Sequence, residues 1–518
     1  MKNCPQKWLI PVLIIALAII ARLIPGARTI DDAFITFRYA QNLLAGSGLV
    51  FNPGEQVLGT TTPLYALIMT VLALPFGGAN APFPTLALVV NALADAATCL
   101  LLWQIGKGLG SERSGLIAAL VWVVAPYSVT FAIGGLETSV VVFLLTFTVW
   151  AYLTDHLVLT ALSAGFSLLT RPDALILVGP LILDRLWRSF HEPRKPIRRR
   201  ELLVFLIPLA LWGAIATIYF GSPLPHSIMA KLAVYRLLPW DSLIRLLQHY
   251  ATPFNESLWG GSLLIGIGLV LYPVLFIIGA RHAFKVDSRV LAWTLYPWLY
   301  FLAFSLPNPL LFRWYLAPPL PSLMFFVLFG LETVLMVILR TRGTKSHPRS
   351  SLPGWKQVVI TLVMLLPLVS TLNAWELHPD HGPDRPAPKM AFIKLELLYG
   401  EVADLLKGQI RPGETLAAGD VGVLGFRTGA SILDTVGLNS PVSLQYYPLA
   451  AEDYAINYAV PADLILNQRP AYAVFLEAYI RNTLLKDQRF LKEFELVRKW
   501  PTDLYGSDGL LLFKRIGS

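Results

Sequence analysis

The chain has 518 residues, of which 55% are hydrophobic and 14% charged, against roughly 25% charged in soluble domains. With a mean hydropathy of +0.58, this composition excludes an ordinary soluble globular protein. The formal net charge of +9 does not point to nucleic acid, because Lys and Arg fall in short segments between apolar runs and no basic face with interleaved aromatics is evident.

Spanning helices need about 20 largely apolar residues each, and such runs recur from residue 8 to residue 374, after which the composition turns ordinary. The N-terminal MKNCPQKWLIPVLIIALAIIARLIPGA has the charged and apolar parts of a signal peptide without a small-residue cleavage site, so it reads as an uncleaved first helix. Candidate spans are 8–24, 84–105, 115–133, 138–153, 157–170, 172–187, 202–220, 258–280, 290–306, 314–338 and 357–374. The stretch PLYALIMTVLALPFGG at 63–78 is short and bounded by Pro and Gly, and its status fixes the parity of everything after it. Left out of the span count, it puts the N-terminus and the basic loops around Lys107, Arg113, Arg185 to Arg200, Arg281 to Arg289 and Arg340 to Lys356 on the cytoplasmic side. Counted as a span, it moves all of those loops outside. The expectation is an α-helical polytopic membrane protein with about 11 transmembrane helices over residues 1–374, in the inner (plasma) membrane with its N-terminus cytoplasmic. A soluble, extracytoplasmic α/β domain follows over residues 375–518. Cys4 and Cys99 support neither a disulfide framework nor a metal-thiolate site.

Two large loops share the outer side with the C-terminal domain: residues 25–83 and residues 221–257. In the first, TIDDAFITFRYAQNLLAGSG reads as a helix capped by Thr29, with Asp31 and Asp32 in its first turn and Gly46 ending it. Asp31, Ile35, Arg38 and Asn42 share one face, and Phe34, Phe37, Gln41 and Leu44 another, so the helix can lie on the membrane with its aromatics down. Acids at a positive helix end contribute about 0.3–1 kcal/mol, which is the plain reading of the pair. The rest of the loop, GLVFNPGEQVLGTTTPLYAL, is more elaborate than a link between spans requires. The second loop holds His226, Lys231 and Arg236 after a Pro-rich turn, and SLPNPLLFRWYLAPPLP places Arg313, Trp314 and Tyr315 at the mouth of a span. Acid and cation converge on one membrane face.

The blocks DDAFITFRYAQNLLAGSGLVFNPGE, GGLETS, LTRPDALIL, GSPLPHSIMAK, FRWYLAPPLPSL and GDVGVLGFRTGASILDTVGL resemble successive blocks of bacterial polytopic glycosyltransferases of the GT-C superfold. The likeness is greatest to the group containing the mycobacterial terminal arabinofuranosyltransferase, and more distant to protein mannosyltransferases and aminoarabinose transferases. It implies a polyprenyl-phosphate-linked sugar donor, a catalytic aspartate in the first external loop, and transfer on the outer side of the membrane to a glycan, lipid or protein acceptor. The family's base maps onto Asp31, with Asp32 beside it. His226 stands where the family pattern has Asn.

In such a transfer the leaving group is a stable lipid phosphate, so one base and one phosphate clamp suffice, unlike hydrolysis by two carboxylates. Asp31 is the expected base, and Asp32 has a different partner: the acceptor, a divalent ion or Arg38. Lys231, Arg313 and His226 are the expected donor-phosphate ligands. Arg38, Glu137, Arg171, Asp173, Trp314 and Tyr315 are candidate substrate contacts, each with a plain alternative: a helix cap for Glu137, a mutual pair for Arg171 and Asp173, interface-belt aromatics for Trp314 and Tyr315. Metal dependence stays open. So do three other functions: a lipid-linked glycan transporter or flippase, a ligase or polymerase acting on larger lipid-linked glycans, and a membrane-tethered binding module whose tail does the work.

In the tail, AFIKLELLYGEVADLLKGQI reads as a helix, TLAAGDVGVLGFRTG and SILDTVGL as strands with Gly turns, and AYAVFLE as a buried strand. GDVGVLG lacks the full glycine fingerprint of a nucleotide site. The domain is expected to cover the cavity and help hold the acceptor.

Overall fold

The computed structural model describes residues 6–191, 196–255, 261–339, 353–373, 375, 391–411 and 413–517. Lys2, Cys4, Arg194, Lys195, Arg340, Arg342, Lys345 and Arg349, all used in the sequence reading, lie outside the described residues.

A helix stands at every predicted span. The first half of the chain folds as α1 (Gln6–Leu23), α2 (Asp31–Leu44), α3 (Pro63–Ala73), α4 (Phe83–Gly108), α5 (Glu112–Val124), α6 (Pro126–Ile133), α7 (Thr138–Leu153), α8 (Leu157–Thr170) and α9 (Leu175–His191). Then come α10 (Arg199–Phe220), α11 (His226–Val234), α12 (Asp241–Ala251), α13 (Gly261–Val286), α14 (Leu291–Ser305), α15 (Leu320–Leu339), α16 (Gly354–Met364) and α17 (Leu366–Leu372). Five of these, α4, α10, α13, α15 and the run α16 to α17, are long and apolar enough to cross a bilayer. The pair α5 and α6, bent by 45°, makes a sixth, whereas α1, α7 and α8 are apolar but shorter. The chain is a multi-pass membrane protein of at least five such spans. At 1.5 Å per residue the 11-residue α3 covers only about half of a hydrocarbon core, and with the turn that carries it to Phe76 it stands with α1, α7 and α8 among the shorter apolar helices.

Two buried acids inside the bundle are paired. Arg22 of α1 pairs with Asp95 of α4 at 3.1 Å, both fully buried, and Trp122 Nε1 and Ser139 Oγ also donate to that carboxylate. Glu332 of α15 accepts from Ser111, Ser114 and Arg113. Helices α13 and α15 cross at two glycines: a Cβ on Gly279 would strike the Phe326 carbonyl, and one on Gly330 the Leu275 carbonyl.

Helix α2 has the predicted extent but not the predicted cap or setting. Its N-cap is Ile30 with no side-chain cap, so Thr29 does not close it, and Gly46 (φ +82°) follows the last turn. Nor does it lie on a membrane surface. Phe34 and Phe37 are buried against Phe83 of α4 and against Phe426, a residue nearly 400 positions away. The aromatic face meets the C-terminal domain instead of lipid.

That domain, described from Ala391 on, has α18 (Ala391–Leu406) and a five-stranded mixed sheet of β1 (Thr415–Ala418), β2 (Ser431–Asp434), β3 (Tyr472–Leu476), β4 (Phe494–Trp500) and β5 (Leu510–Arg515). The strand order is β2-β1-β3-β5-β4, with β1 parallel to β2 and β3, and β5 antiparallel to β3 and β4. GVLGFRT, expected as strand and turn, is instead α19 (Gly422–Thr428) between β1 and β2, so GDVGVLG does lie at a strand-to-helix turn. The domain's core is continuous with the segment between α1 and α4: Phe34, Phe37, Phe51 and Tyr65 pack in one cluster with Leu416, Val423, Leu424 and Val474.

Candidate active site

A cavity of ≈ 290 Å³ opens where α2, the loop before α3, the ends of α7 and α8, α11 and the segment before α15 meet. Of the predicted site residues, Asp32, Glu137, Arg171, Asp173, Lys231, Trp314 and Tyr315 line it together. Asp31, Arg38, His226 and Arg313 do not.

The two aspartates part company as their positions on a helix dictate. Asp32 faces the cavity and, among the described residues, carries no hydrogen bond or ion pair. Burial raises its pKa, and Lys231 opposes the shift. Asp31 is 6% exposed and turned to the C-terminal domain, where Oδ2 accepts from Gly422 N at 2.9 Å and Oδ1 from Val423 N at 2.8 Å. Burial nevertheless pushes Asp31 up to about 7, against the two amides and with the help of Asp32 and Asp434.

Lys231 projects from α11 into the cavity with its ammonium 5.0 Å from the Phe312 ring and 5.8 Å from the Tyr315 ring. No carboxylate stands at ion-pair distance from it among the described residues. Burial works against its charge, but Tyr315 and Asp32 outweigh burial and hold its pKa above the ordinary value. The cavity's other cation is committed. Arg171 forks onto Asp173 at 2.9 and 2.8 Å and reaches Glu137 at 3.1 Å, with its guanidinium 4.5 Å over the Tyr315 ring. Tyr300 donates to Asp173 at 3.0 Å and to the Tyr315 carbonyl at 2.6 Å. Arg171 and Asp173 are thus both a mutual pair and cavity lining. Trp314 is buried and stacks on Phe312 at 4.7 Å and 8°, so it is not a belt residue facing lipid.

Besides Asp31, the three remaining residues serve elsewhere. Arg38 spends its guanidinium on Phe51 O, Gln41 Oε1 and Gly429 O, joining α2 to the C-terminal domain. His226 donates its backbone N–H to Leu58 O at 2.8 Å, its Nε2 is buried without a hydrogen-bond partner among the described residues, and burial lowers its pKa. Arg313 lies over the Tyr127 ring at 5.3 Å.

Several lining residues escaped sequence reasoning. Thr36, Thr60 and Thr62 form a chain of hydroxyls along one wall, with Thr60 and Thr62 3.0 Å apart and Thr36 and Thr62 3.3 Å apart. The run GTTTP before a helix was the available signal. Ser227 Oγ is buried in the lining with no partner among the described residues, a costly state for a hydroxyl unless a ligand satisfies it. Leu438 comes from the C-terminal domain, whose turn after β2 is pinned by Asp434 accepting from Val436 N, Gly437 N and Asn439 N. Asn439 Oδ1 in turn accepts from Tyr39 OH at 3.1 Å, and Gly59 N donates to the same hydroxyl at 2.8 Å. A Cβ on Gly59 would strike Asn439, so glycine there lets the two loops touch.

Beside Asp31, buried acids accumulate. Asp420, which accepts from Tyr399 OH at 3.0 Å, is pushed up to about 8 by burial and by Asp31. Burial raises Glu396 to about 7 and Asp434 to about 6. Among the described residues no group of three His, Cys, Asp or Glu is arranged to hold a metal ion.

Residues 391–513 match a family described as a domain of unknown function, DUF8728. The chain is 28% identical over 270 residues to the terminal beta-(1->2)-arabinofuranosyltransferase of Mycobacterium tuberculosis, a match that spans 46% of this chain and 40% of that relative. Among solved structures, the apo state of ArnT from Cupriavidus metallidurans superposes with a TM-score of 0.59 at 13% identity, covering 98% of both chains. The oligosaccharyltransferase AglB from Archaeoglobus fulgidus, solved in complex with an inhibitory peptide and a dolichol-phosphate, superposes with a TM-score of 0.57 at 12% identity, covering 99% of this chain and 74% of its own. The fold is the GT-C fold expected from the sequence blocks.

Proposed function

We propose that this protein is a membrane glycosyltransferase that moves one sugar from a polyprenyl-phosphate donor to an extracytoplasmic acceptor, with Asp32 as the general base. The observation that carries this reading is the pairing, in one ≈ 290 Å³ cavity, of a carboxyl, Asp32, without a hydrogen-bond or ion-pair partner among the described residues and a cation, Lys231, without an ion-pair partner among them. Those are the two groups the reaction requires. An acceptor hydroxyl attacks the anomeric carbon, the bond from that carbon to the phosphate oxygen breaks, and the lipid leaves as its phosphate. The hydroxyl proton passes to Asp32, and Lys231 meets the charge that grows on the leaving oxygen. Ser227, the threonine wall and Tyr315 offer hydroxyls to the sugar, and Trp314 with Tyr315 an aromatic surface. The volume lies at the low end of small-molecule sites, which favours a single sugar over a larger lipid-linked glycan. The likeness to the arabinofuranosyltransferase and the dolichol-phosphate in AglB support the donor class. The basic loops between the apolar runs support a cytoplasmic N-terminus in the plasma membrane.

Asp32 replaces Asp31 in this role because both Asp31 oxygens already accept backbone hydrogen bonds. Purified protein in lipid should discharge a polyprenyl-phosphate sugar. Asp32→Asn should lower turnover by about 10²–10⁴-fold, the usual worth of a general base, at an unchanged thermal midpoint. Wild-type turnover in that variant would remove Asp32 from the mechanism.

A further inference from the structure

We propose that Asp31 is a positioning residue: its carboxylate fastens the β1–α19 turn of the C-terminal domain to the first turn of α2 and so fixes the direction in which Asp32 enters the cavity. The role rests on Asp32 being the base, but the fastening does not.

Helix α2 has no side-chain N-cap, so its first turn takes its orientation from neighbours. On one side Ile30 N donates to Gly134 O at 3.0 Å. On the other, the Asp31 carboxylate grips two consecutive amides of the C-terminal domain, at 2.9 and 2.8 Å. Successive helical side chains diverge by about 100°. A carboxylate held on the domain side therefore directs the next residue to the cavity side, and a small rotation of α2 moves Asp32 with it. The backbone contact is equally close, since a Cβ on Gly422 would fall on the Asp31 carbonyl. Only glycine at 422 lets the turn seat. The same turn brings Asp420 beside the two aspartates.

An asparagine at 31 has one acceptor oxygen and would set its NH₂ against the second amide N–H. An alanine at 422 leaves every carboxyl in place but pushes the turn away. The two changes thus damage one contact from opposite sides. The test uses the full chain in lipid nanodiscs, comparing Asp31→Asn, Gly422→Ala and the double variant, with Asp32→Asn alongside. Turnover of a synthetic polyprenyl-phosphate sugar is measured together with amide hydrogen exchange over residues 27–45 and 415–428.

Each single change should lower kcat by about 10²-fold, the order expected from a misplacement near 1 Å, with little change in donor KM. The double variant should be no worse than the poorer single. Exchange should rise at 422–425 and in the first turn of α2 in both variants. Losses that multiply in the double variant would overturn the proposal. So would Gly422→Ala with wild-type kcat beside an inactive Asp31→Asn, because Asp31 would then act on substrate directly. Unchanged exchange in Asp31→Asn overturns the fastening without reference to turnover, whereas an active Asp32→Asn overturns only the base.

Discussion

Among the described residues Asp32 and Lys231 are partly buried groups with no ion pair, held in a cavity wall whose other charged groups, Glu137, Arg171 and Asp173, are matched. Lys231 should act on donor binding as well as on the transition state. Lys231→Gln removes a charge-assisted contact worth about 1.5–3 kcal/mol, so the donor KM should rise by roughly 10–100-fold, measured by steady-state kinetics with a lipid-phosphate sugar. Arg171 has the opposite character. Arg171→Met would leave Glu137 and Asp173 buried without their cation, a loss of about 3–5 kcal/mol, visible as a lower thermal midpoint in detergent before any kinetic effect is considered. Both residues were legible from sequence, because each is a cation close to a predicted membrane boundary within a block that resembles the family. Ser227 and the threonine wall were not, since a hydroxyl becomes notable only when the structure shows it buried and unpaired. The split between Asp31 and Asp32 was half legible. Helix geometry separates them, but which one faces substrate depends on a partner at Gly422 and Val423 that no local pattern reveals.

At the scale of elements, α2 shows where local reasoning stops. Its length and its two faces follow from sequence periodicity, yet its apolar face reads equally as membrane-seeking or as an interface for a distant domain. Phe426 decides for the second, and α19, which carries it, was itself misread because seven residues rich in glycine fit a turn as well as a helix. The spans fared better, because an apolar run long enough to cross a bilayer has few other uses. The α13 and α15 crossing depends on small residues that let two backbones touch. Gly330→Ala places a methyl group on the Leu275 carbonyl, and overpacking of that kind costs about 1–3 kcal/mol. Its thermal midpoint should fall while the donor KM stays at the wild-type value, as measured on the purified variant.

For the whole molecule, the junction between membrane bundle and C-terminal domain holds Asp31, Asp32, Asp420, Asp434 and Glu396, faced by Tyr399 from α18, Arg427 from α19 and Lys231 from α11. The folded-state pKa values of Asp31, Asp420, Asp434 and Glu396 lie above their ordinary ones, at about 7, 8, 6 and 7. An acid raised in this way binds its proton more tightly when folded. The stability it contributes is fully present below its unfolded pKa and is lost as pH rises toward the folded one. The thermal midpoint should therefore fall between pH 4 and about pH 8. Asp420→Asn keeps an acceptor for Tyr399 and removes one of the mutually repelling charges, so it should raise the midpoint at pH 8 and flatten the decline. A variant less stable than wild type at pH 8 would contradict this account of the junction.

The short turn after β2 places Leu438 in the cavity wall opposite residues drawn from the bundle. The size of the cavity is thus set jointly by the bundle and by a few residues of the C-terminal domain. Exchanging Leu438 for a smaller or larger side chain would resize that cavity while leaving Asn439 and its contact with Tyr39 in place, which makes this position a natural place to engineer a change of sugar.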